Sequence, residues 1–305
     1  MMMNKRVFVF AVACCCMSLG HAANITFADS KVKDLCVLSW DSNNDGELSE
    51  AEAAAVTSLG NVFRGNKTIT SFEELRHFTG LTAIDDYAFY QSSLQTVAFP
   101  ASATSIGEYA FSESSISGEL CVPGTVKAIK NYAFYSCKQL TSVILEEGVE
   151  TVGWHSLSGP ISTLSLPSTL TYMSSMAIDP YVNAGSSSGV FLPEGDLYVY
   201  AHSMTPPAIN DFAFYYIYGD CHLVVPFGAK EVYKAISAWS QFKEYLEYGD
   251  VNMDGEINVK DVVAVSSHIM GNKPSPFNAL CADTNGDGDV NVKDVVGISN
   301  YIMQK

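Results

Sequence analysis

Three twelve-residue segments of this chain carry oxygen-bearing side chains at one shared spacing. Two lie near the C-terminus, Asp250–Asp261 (DVNMDGEINVKD) and Asp283–Asp294 (DTNGDGDVNVKD), and the third is Asp41–Glu52 (DSNNDGELSEAE). Each has acidic, amide or hydroxyl side chains at positions 1, 3, 5, 9 and 12 and a glycine at position 6. Hard cations such as Ca²⁺ prefer several oxygen ligands on a sharply turned loop. Each segment therefore predicts a calcium site.

The predicted ligands are these five side chains and the position-7 residue, which offers its main-chain carbonyl. In the first C-terminal loop they are Asp250, Asn252, Asp254, Glu256, Asn258 and Asp261; in the second they are Asp283, Asn285, Asp287, Asp289, Asn291 and Asp294; in the N-terminal loop they are Asp41, Asn43, Asp45, Glu47, Ser49 and Glu52. We expect two Ca²⁺ ions in the C-terminal pair and one in the N-terminal loop. For the N-terminal loop, an acidic turn without metal remains an alternative.

The residues around the C-terminal loops indicate helices only on the exit side. Gly249 directly precedes the first loop and argues against an entering helix. After each loop, apolar residues recur at i, i+3 and i+7, as in one buried face of a helix: Val262, Val265 and Ile269, then Val295, Ile298 and Ile302. Position 8 is also apolar in both loops (Ile257 and Val290), which suits two loops that lie side by side.

This duplicated loop–helix pattern, with Asp at position 12, resembles a type I dockerin. The resemblance implies a cohesin-type protein partner. In that family, positions 10 and 11 carry specificity, and here they are Val259, Lys260, Val292 and Lys293 in place of the usual hydroxyl pairs. The hexapeptide NVKDVV occurs in both halves, so either half could dock. The alternative is a module that only caps its own chain.

The N-terminal loop differs because both of its flanks have helical character. Val32, Leu35, Cys36 and Trp40 form an apolar stripe before it, and an Ala-rich run over residues 51–59 follows. No second loop of this type lies nearby in sequence. We therefore expect one structural ion that stiffens an N-terminal cap, and not a calcium sensor.

A six-residue pattern repeats through the middle of the chain. The copies are IDDYAF (Ile84–Phe89), IGEYAF (Ile106–Phe111), IKNYAF (Ile129–Phe134), VGWHSL (Val152–Leu157), MSSMAI (Met173–Ile178) and INDFAF (Ile209–Phe214). The alanines of the first three are 22 and 23 residues apart. After each of the first four anchors comes an extended stretch, and Pro100, Pro123 or Pro167 ends three of these stretches. Such a period predicts a solenoid in which stacked coils bury each other's apolar face.

These anchors resemble the BspA-like leucine-rich repeat family of bacterial surface proteins. The likeness covers about residues 81–247 and implies a binding or adhesion protein. The segment Cys221–Glu247 resembles the family's closing strand and helix, in which Tyr233, Ile236, Trp239 and Phe242 would cover the last coil. Residues Tyr181–Gly189 depart from the repeat and predict an inserted loop.

The expected fold class is α/β: a leucine-rich repeat solenoid with an N-terminal EF-hand-like cap and a small all-α C-terminal dockerin-like domain. The expected divisions are a signal peptide at 1–22, the cap at 23–80, the solenoid at 81–247 and the calcium-binding domain at 248–305.

The first residues predict export. Lys5 and Arg6 precede an apolar run, and small residues allow cleavage after Ala22, which is typical of a secretory signal peptide. A lipoprotein anchored through one of Cys14–Cys16 is the alternative, and membrane contact is expected only in that case. We expect a secreted or cell-surface protein. Five cysteines remain after cleavage, an odd number without metal-site spacing, so we expect them to be mostly buried and unpaired.

The formal net charge is −16, and 13 of the 33 acidic residues lie in the three loops. There is no basic patch for nucleic acid. The histidines His77, His155, His202 and His222 are isolated in sequence, and acidic residues such as Glu146, Glu147, Glu150, Glu194 and Asp196 fall in predicted turns. No catalytic constellation is recognisable.

The sequence thus favours an exported, non-catalytic binding or adhesion protein. Its solenoid would recognise an unknown protein or glycan, and its calcium-dependent module a cohesin. The alternative is a dockerin-bearing carbohydrate-processing enzyme subunit with an unrecognised active site. Tyr87, Tyr109 and Tyr132 occupy equivalent positions and predict a column that packs between coils, although its edge could also grip a ligand.

Overall fold

The computed structural model describes residues 23–179, 196–214, 221–285 and 289–305. Its helices are α1 (Ser30–Trp40), α2 (Glu50–Ala55), α3 (Lys230–Lys234), α4 (Val259–Ile269), α5 (Ala279–Ala282) and α6 (Val292–Gln304). The strands are β1 (Ser71–Phe72), β2 (Ala83–Ile84), β3 (Thr96–Val97), β4 (Ser105–Ile106), β5 (Ser117–Val122), β6 (Ala128–Ile129), β7 (Gln139–Leu145), β8 (Thr151–Val152), β9 (Leu157–Ser158), β10 (Thr163–Leu166), β11 (Tyr172–Met173), β12 (Ile178–Asp179), β13 (Leu197–Ala201), β14 (Ala208–Ile209), β15 (Cys221–Val225) and β16 (Glu244–Glu247). Short 3₁₀ helices span Glu73–His77 and Ser237–Trp239.

Two parallel six-stranded sheets form the solenoid. One has the order β16-β15-β13-β10-β7-β5 and the other the order β14-β11-β8-β6-β4-β2. Each strand pairs with its equivalent one coil away, for example Ile106 with Ile129 and Ile129 with Val152. Neighbouring coils therefore satisfy each other's backbone groups, as the 22–23-residue period predicted.

A column of phenylalanine rings fills the interior. Phe63, Phe89, Phe111 and Phe134 are fully buried, and successive ring centroids lie 5.2, 5.0 and 4.9 Å apart. Stacked aromatic rings of this kind dominate the energetics of a core because each buries a large apolar area. The predicted apolar anchors therefore form one continuous core.

The tyrosines of the anchor motif form a second column nearer the surface. Tyr87, Tyr109 and Tyr132 have φ values of 62°, 55° and 57°, a left-handed conformation that costs a non-glycine residue roughly 1–2 kcal/mol. Each donates its amide N–H to a carbonyl of the next coil, and the rings stack at 4.9 and 4.6 Å. The half-buried stack and the coil-to-coil hydrogen bonds offset the strain. The predicted packing column is confirmed.

The N-terminal cap is built from α1 and α2, which lie on either side of the N-terminal loop. Val32 and Cys36 are buried, and α2 ends at Ala55, earlier than the Ala-rich run suggested. The loop does have a pairing partner: Asn24 bridges Ser49 in antiparallel fashion, and the Ile25 amide donates to the Leu48 carbonyl at 2.9 Å. The segment before α1 thus takes the place of the missing second loop.

The last coil is closed by β15, α3 and the added strand β16. Tyr233 and Trp239 are fully buried and Phe242 nearly so, as expected. Ile236 is 39% exposed, so the prediction for that residue is wrong. It lies between α3 and the 3₁₀ helix, where the backbone is extended (φ −101°, ψ 122°). The predicted insertion at Tyr181–Gly189 lies outside the described residues.

The C-terminal module packs its helices around Val251, Ile257, Val265 and Ile298, with Val290 against the same cluster. Val265 and Ile298 are fully buried, but Ile269 at the end of α4 is 38% exposed, contrary to prediction. The short helix α5 precedes the second loop, so the expectation of helices only after the loops is also wrong. The fold class itself is confirmed as a repeat solenoid with a small helical C-terminal domain.

Within the described residues, no helix combines the length and apolarity needed to span a bilayer. The predicted signal peptide and Cys14–Cys16 lie outside those residues. All five later cysteines are free, four of them buried and Cys121 exposed, as predicted.

Candidate calcium loops and interaction surfaces

The first C-terminal loop is folded by hydrogen bonds to its own predicted ligands. The Asp254 amide donates to Asn252 Oδ1, and the Glu256 amide donates to Asp254 Oδ1. Asp250 Oδ2 accepts from the Gly255 amide at 3.0 Å. Asp261 is fully buried and accepts from main-chain amides at both ends of the loop. Main-chain amides of the loop thus hold the side-chain oxygens of positions 1, 3, 5 and 12 in place.

The N-terminal loop repeats this arrangement. Asp45 and Glu47 amides donate to the side chains of Asn43 and Asp45, and the Gly46 amide donates to Asp41 Oδ2 at 2.9 Å. Glu52 accepts at one end from Ser42 and at the other from Ser49. The hydrogen bond from the Ser49 amide is the main reason that the pKa of Glu52 falls to about 2. The two loops therefore share one backbone design although their flanks differ.

The second C-terminal loop is described at its two ends. Asp294 is fully buried and accepts from the Thr284 amide at 2.9 Å and the Asn291 amide at 2.8 Å. These bonds match those of Asp261 in the first loop. Asp283, Asn285 and Asp289 also lie in the described part, whereas Asp287 lies outside it.

Asp250 indicates that the first loop fits a cation. Its Oδ1 is buried without a hydrogen-bond partner among the described residues, and its side chain is 5% exposed. Burial raises the pKa of this carboxyl, and the neighbouring carboxylates of Asp261 and Asp254 raise it further. A buried, unpartnered carboxylate oxygen is stabilised by a positive charge placed against it.

The acidic side chains alone do not complete a site. In the part of the chain that the structure describes, no group of three or more His, Cys, Asp and Glu side chains stands in a metal-holding arrangement. A calcium ion would therefore also use the amide oxygens of Asn252 and Asn258 and the carbonyl of Glu256. Such a mixed oxygen set is what Ca²⁺ prefers.

The four residues at positions 10 and 11 lie on the surface. Val259 and Val292 are 64% and 63% exposed, and Val263 and Val296, one helical turn later, are 60% and 50% exposed. Lys260 and Lys293 are exposed beside them, and Lys260 Nζ lies 3.1 Å from Asp254 Oδ2. The module thus presents the same valine pair and lysine twice, on α4 and on α6.

The module also packs directly on the solenoid. The rings of Phe227 and Tyr301 stack at 4.4 Å, and Cys281 joins a buried cluster with Tyr200 and Tyr248. Gly249 donates its amide to the Cys281 carbonyl at 2.7 Å. Its φ is 97°, and a Cβ there would lie 2.0 Å from the Phe227 ring, so this junction requires glycine. The module continues the last strand without a flexible linker.

Two histidines that are isolated in sequence have close polar neighbours. His202 Nε2 lies 2.9 Å from Ser165 Oγ, and its Nδ1 lies 3.2 Å from the Tyr248 hydroxyl. Burial is the main cause that lowers the pKa of His202. Nothing in the sequence spacing signals this group, because Ser165 and His202 are 37 residues apart.

His222 lies between two carboxylates. Its Nδ1 is 2.8 Å from Glu244 and its Nε2 is 3.4 Å from Asp196, while its ring stacks on Tyr198. Asp196 lies just before β13 with its side chain 44% exposed, as expected of an acidic residue in a solvated turn, and it also faces this buried histidine. Glu194 lies outside the described residues.

The stacked parallel coils, their phenylalanine column and the acidic loop–helix pair define a leucine-rich repeat protein with an attached calcium-loop module. Comparison with family models identifies the type of repeat and the type of module. Residues 61–181 match the BspA type Leucine rich repeat region in six copies, and residues 248–303 match the Dockerin type I domain. The chain therefore carries a BspA-type leucine-rich repeat region followed by a dockerin type I domain.

A search of solved structures finds a leucine rich cell surface protein from Faecalibacterium prausnitzii A2-165. The two are 16% identical with a TM-score of 0.24, and the match covers 60% of this chain and 64% of that protein. This chain thus spans less than two thirds of that protein's length. No curated protein matches.

Proposed function

We propose that this protein is an exported, non-catalytic recognition protein that attaches to a cohesin-type partner through its calcium-dependent C-terminal module. The repeat region presents the recognition surface, and the N-terminal cap closes its first coil. Both matched families describe non-catalytic modules. We propose residues 23–80, 81–247 and 248–305 as cap, solenoid and module.

The observation that carries the attachment is the duplicated exposed surface on α4 and α6. Val259 and Val263 on one helix have their counterparts in Val292 and Val296 on the other. A single exposed valine is common on protein surfaces and needs no explanation. Two equivalent valine pairs, each beside a lysine, instead suit two equivalent docking surfaces. Since neither pair belongs to the contact between module and solenoid, either helix is free to dock.

The calcium ions would hold these helices in place. Asp261 and Asp294 close their loops and also cap α4 and α6 through capping boxes. Ions bound by the same loops would therefore set the positions of the valine pairs, and ligand binding and folding would share free energy.

This attachment is tested with the chain from residue 23 to 305 and a panel of immobilised type I cohesin domains in excess calcium. The single variants Val259→Asp and Val292→Asp should bind within about threefold of the parent, because the other helix still docks. The double variant should bind at least about tenfold more weakly, since a charge buried in an interface costs more than 1.4 kcal/mol. Chelation with EGTA should abolish capture.

The matched control is Val232→Asp on α3, a valine that is 47% exposed and lies outside the module. It should bind as the parent does. Failure of every cohesin to bind in excess calcium, or parental binding by the double variant, would contradict the proposed attachment. Turnover of a polysaccharide by the parent chain, lost on substitution of a single acidic residue, would instead favour the enzyme alternative.

A further inference from the structure

A buried histidine joins the last three strands of the solenoid. His222 lies on β15, between β13 and β16 in the sheet, and is 8% exposed. It pairs with Tyr198 of β13 on one side and with Glu244 of β16 on the other, so these side chains share the outward face of the sheet. Asp196 directly precedes β13. We call Asp196, Tyr198, His222 and Glu244 the histidine cluster.

Each ring nitrogen of His222 faces a carboxylate. Nδ1 lies 2.8 Å from Glu244 Oε2, and Nε2 lies 3.4 Å from Asp196 Oδ2. The second distance suits an ion pair but is too long for a hydrogen bond, and Nε2 is buried with no hydrogen-bond partner among the described residues. Two carboxylates from different strands thus approach one imidazole ring.

The protonation state of the ring decides whether both contacts are favourable. An ionised carboxylate only accepts hydrogen bonds, whereas a neutral imidazole has one N–H donor and one nitrogen lone pair. When the neutral ring donates from Nδ1 to Glu244, its buried lone pair at Nε2 faces the negative charge of Asp196. The imidazolium has an N–H on both nitrogens and places a positive charge between the two carboxylates. Only the protonated ring therefore suits both neighbours.

The Tyr198 ring adds a third favourable contact for the charged form. It stacks on the His222 ring with the centroids 4.6 Å apart and an angle of 13° between the planes. A cation over an aromatic face is attracted to it. Burial raises the pKa of the Tyr198 phenol, and the carboxylates of Asp196 and Glu244 raise it further, so this ring stays neutral.

Titratable neighbours of the cluster also include a thiol and a lysine. Cys281 of the module lies near Tyr198 and Glu244, and burial raises its pKa to about 12, so the thiol is neutral. Lys243 directly precedes Glu244 and is exposed. Burial of the His222 ring opposes a charge on it, but the two carboxylates supply the counter-charge and keep contact with water, being 44% and 49% exposed.

We propose that the histidine cluster is a pH-dependent latch that stabilises the end of the solenoid when His222 is protonated. β16 is the edge strand of its sheet and leads through Gly249 into the module. The charged ring attracts a carboxylate on each side of β15 and holds this edge in place. The unfolded chain offers the ring no such partners. Protons therefore favour the folded end, and its stability falls as pH rises through the range of about 5 to 8 in which histidines titrate.

Amide hydrogen exchange of the chain from residue 23 to 305 tests the latch, in excess calcium near pH 5.5 and near pH 8. The rates are corrected for the intrinsic pH dependence of exchange. In the parent, the opening equilibrium constant of the β16 amides should be about fivefold larger near pH 8, because two half-exposed ion pairs together contribute roughly that factor. In His222→Gln, which has no charge to lose, the two values should agree.

The matched control is His77→Gln. His77 Nδ1 lies 3.6 Å from Glu50 Oε1 in the N-terminal cap, so this residue is also a histidine beside a carboxylate, but at the opposite end of the solenoid. The variant should keep the parent's response in β16. Burial lowers the pKa of His202, and its contribution cancels because the parent and His222→Gln both contain it. Asp196→Asn and Glu244→Gln should each reduce the response without removing it.

Nitrogen chemical shifts of the His222 ring in the parent give a readout that needs no variant to fold. Both ring nitrogens should be protonated near pH 5.5, and only Nδ1 near pH 8. A ring that is neutral at both values, a His222→Gln protein that keeps the parent's response, or a β16 strand that opens less near pH 8 in the parent would each overturn the latch. The proposed attachment to a cohesin is independent of these outcomes.

Discussion

At the scale of single residues, the calcium loops depend on carboxylates that have two tasks. Asp250 uses one oxygen to hold the turn at Gly255, and its other oxygen is buried with no hydrogen-bond partner in the part of the chain that the structure describes. In Asp261, by contrast, both carboxylate oxygens accept hydrogen bonds from main-chain amides. Position 1 therefore contributes to loop folding with one oxygen and offers the other to a cation.

Substituting alanine at both Asp250 and Asp283 should imitate chelation. The parent should gain about 2.7 kcal/mol of unfolding free energy for each bound ion, about 5.4 kcal/mol for the two loops of the module, at a calcium concentration 100 times the Kd, because the ions bind only the folded loops. The double variant should gain almost nothing. Melting followed by circular dichroism with calcium and with EGTA measures this difference.

The control for that experiment is Asp34→Ala, which removes an exposed carboxylate from α1. It should keep the full response to calcium. A double variant that melts as the parent does in excess calcium would show that the ligands are assigned wrongly.

At the scale of elements, the start of α1 is tied to the first coil by one side chain. Asp29 caps the helix by accepting from the Lys31 amide at 2.8 Å, and its other oxygen accepts from the Thr70 amide at 2.7 Å. Burial works to raise the pKa of Asp29, but the hydrogen bonds from Thr70 and Lys31 together hold it below the ordinary value of 3.8. One carboxylate thus links the N-terminus of α1 to the residue that precedes β1.

Replacing Asp29 with alanine should destabilise the protein by about 1–2 kcal/mol at pH 7, the usual cost of a lost N-cap. Because the folded pKa is depressed, this contribution is fully present above the unfolded value near 3.8 and is lost as pH falls through the folded value. Urea unfolding at pH 7 and near pH 3 should show the difference from the parent shrinking. Asp29→Asn, which retains one acceptor, should lose less, and an equal effect at both pH values would contradict the account.

Much of this element-scale structure could be predicted from the sequence. The 22–23-residue spacing of the anchors predicts the stack of coils, and the phenylalanines at its repeats form the core column. The departures occur at element ends. Ile236 and Ile269 fit an apolar pattern but lie at the ends of short helices, where burial depends on what packs opposite.

At the scale of the whole molecule, the module and the solenoid form a continuous body. The strand β16 leads through Gly249 into the first C-terminal loop, and Phe227 of the last coil stacks on Tyr301 of α6. The alternative of a module that caps its own chain thus agrees with a real contact, while the valine pairs remain free for a partner.

Chelation should open residues 249–305 and should spread into β16, but it should leave β5, β7 and β10 protected, because coils contact only their neighbours. Amide hydrogen exchange with and without calcium measures this boundary. Phe227→Ala should weaken the coupling, so that the module melts several degrees earlier while the repeat transition stays in place. Leu38→Ala, an 84% exposed residue on α1, is the control. Uniform loss of protection through all coils would contradict this picture.

By itself, the sequence determined the repeat period, the loop positions at which oxygen-bearing side chains recur, and the existence of two similar loop–helix segments. Those features depend on spacing along the chain, because a loop's ligands and a helix's face are set within a dozen residues. Only the tertiary structure decided the pairing of Asn24 with Ser49, the contact of Phe227 with Tyr301 and the grouping of Ser165, His202 and Tyr248. These contacts join residues from different coils and modules. The stacking of coils brings such side chains together, and no local sequence pattern shows which ones will meet.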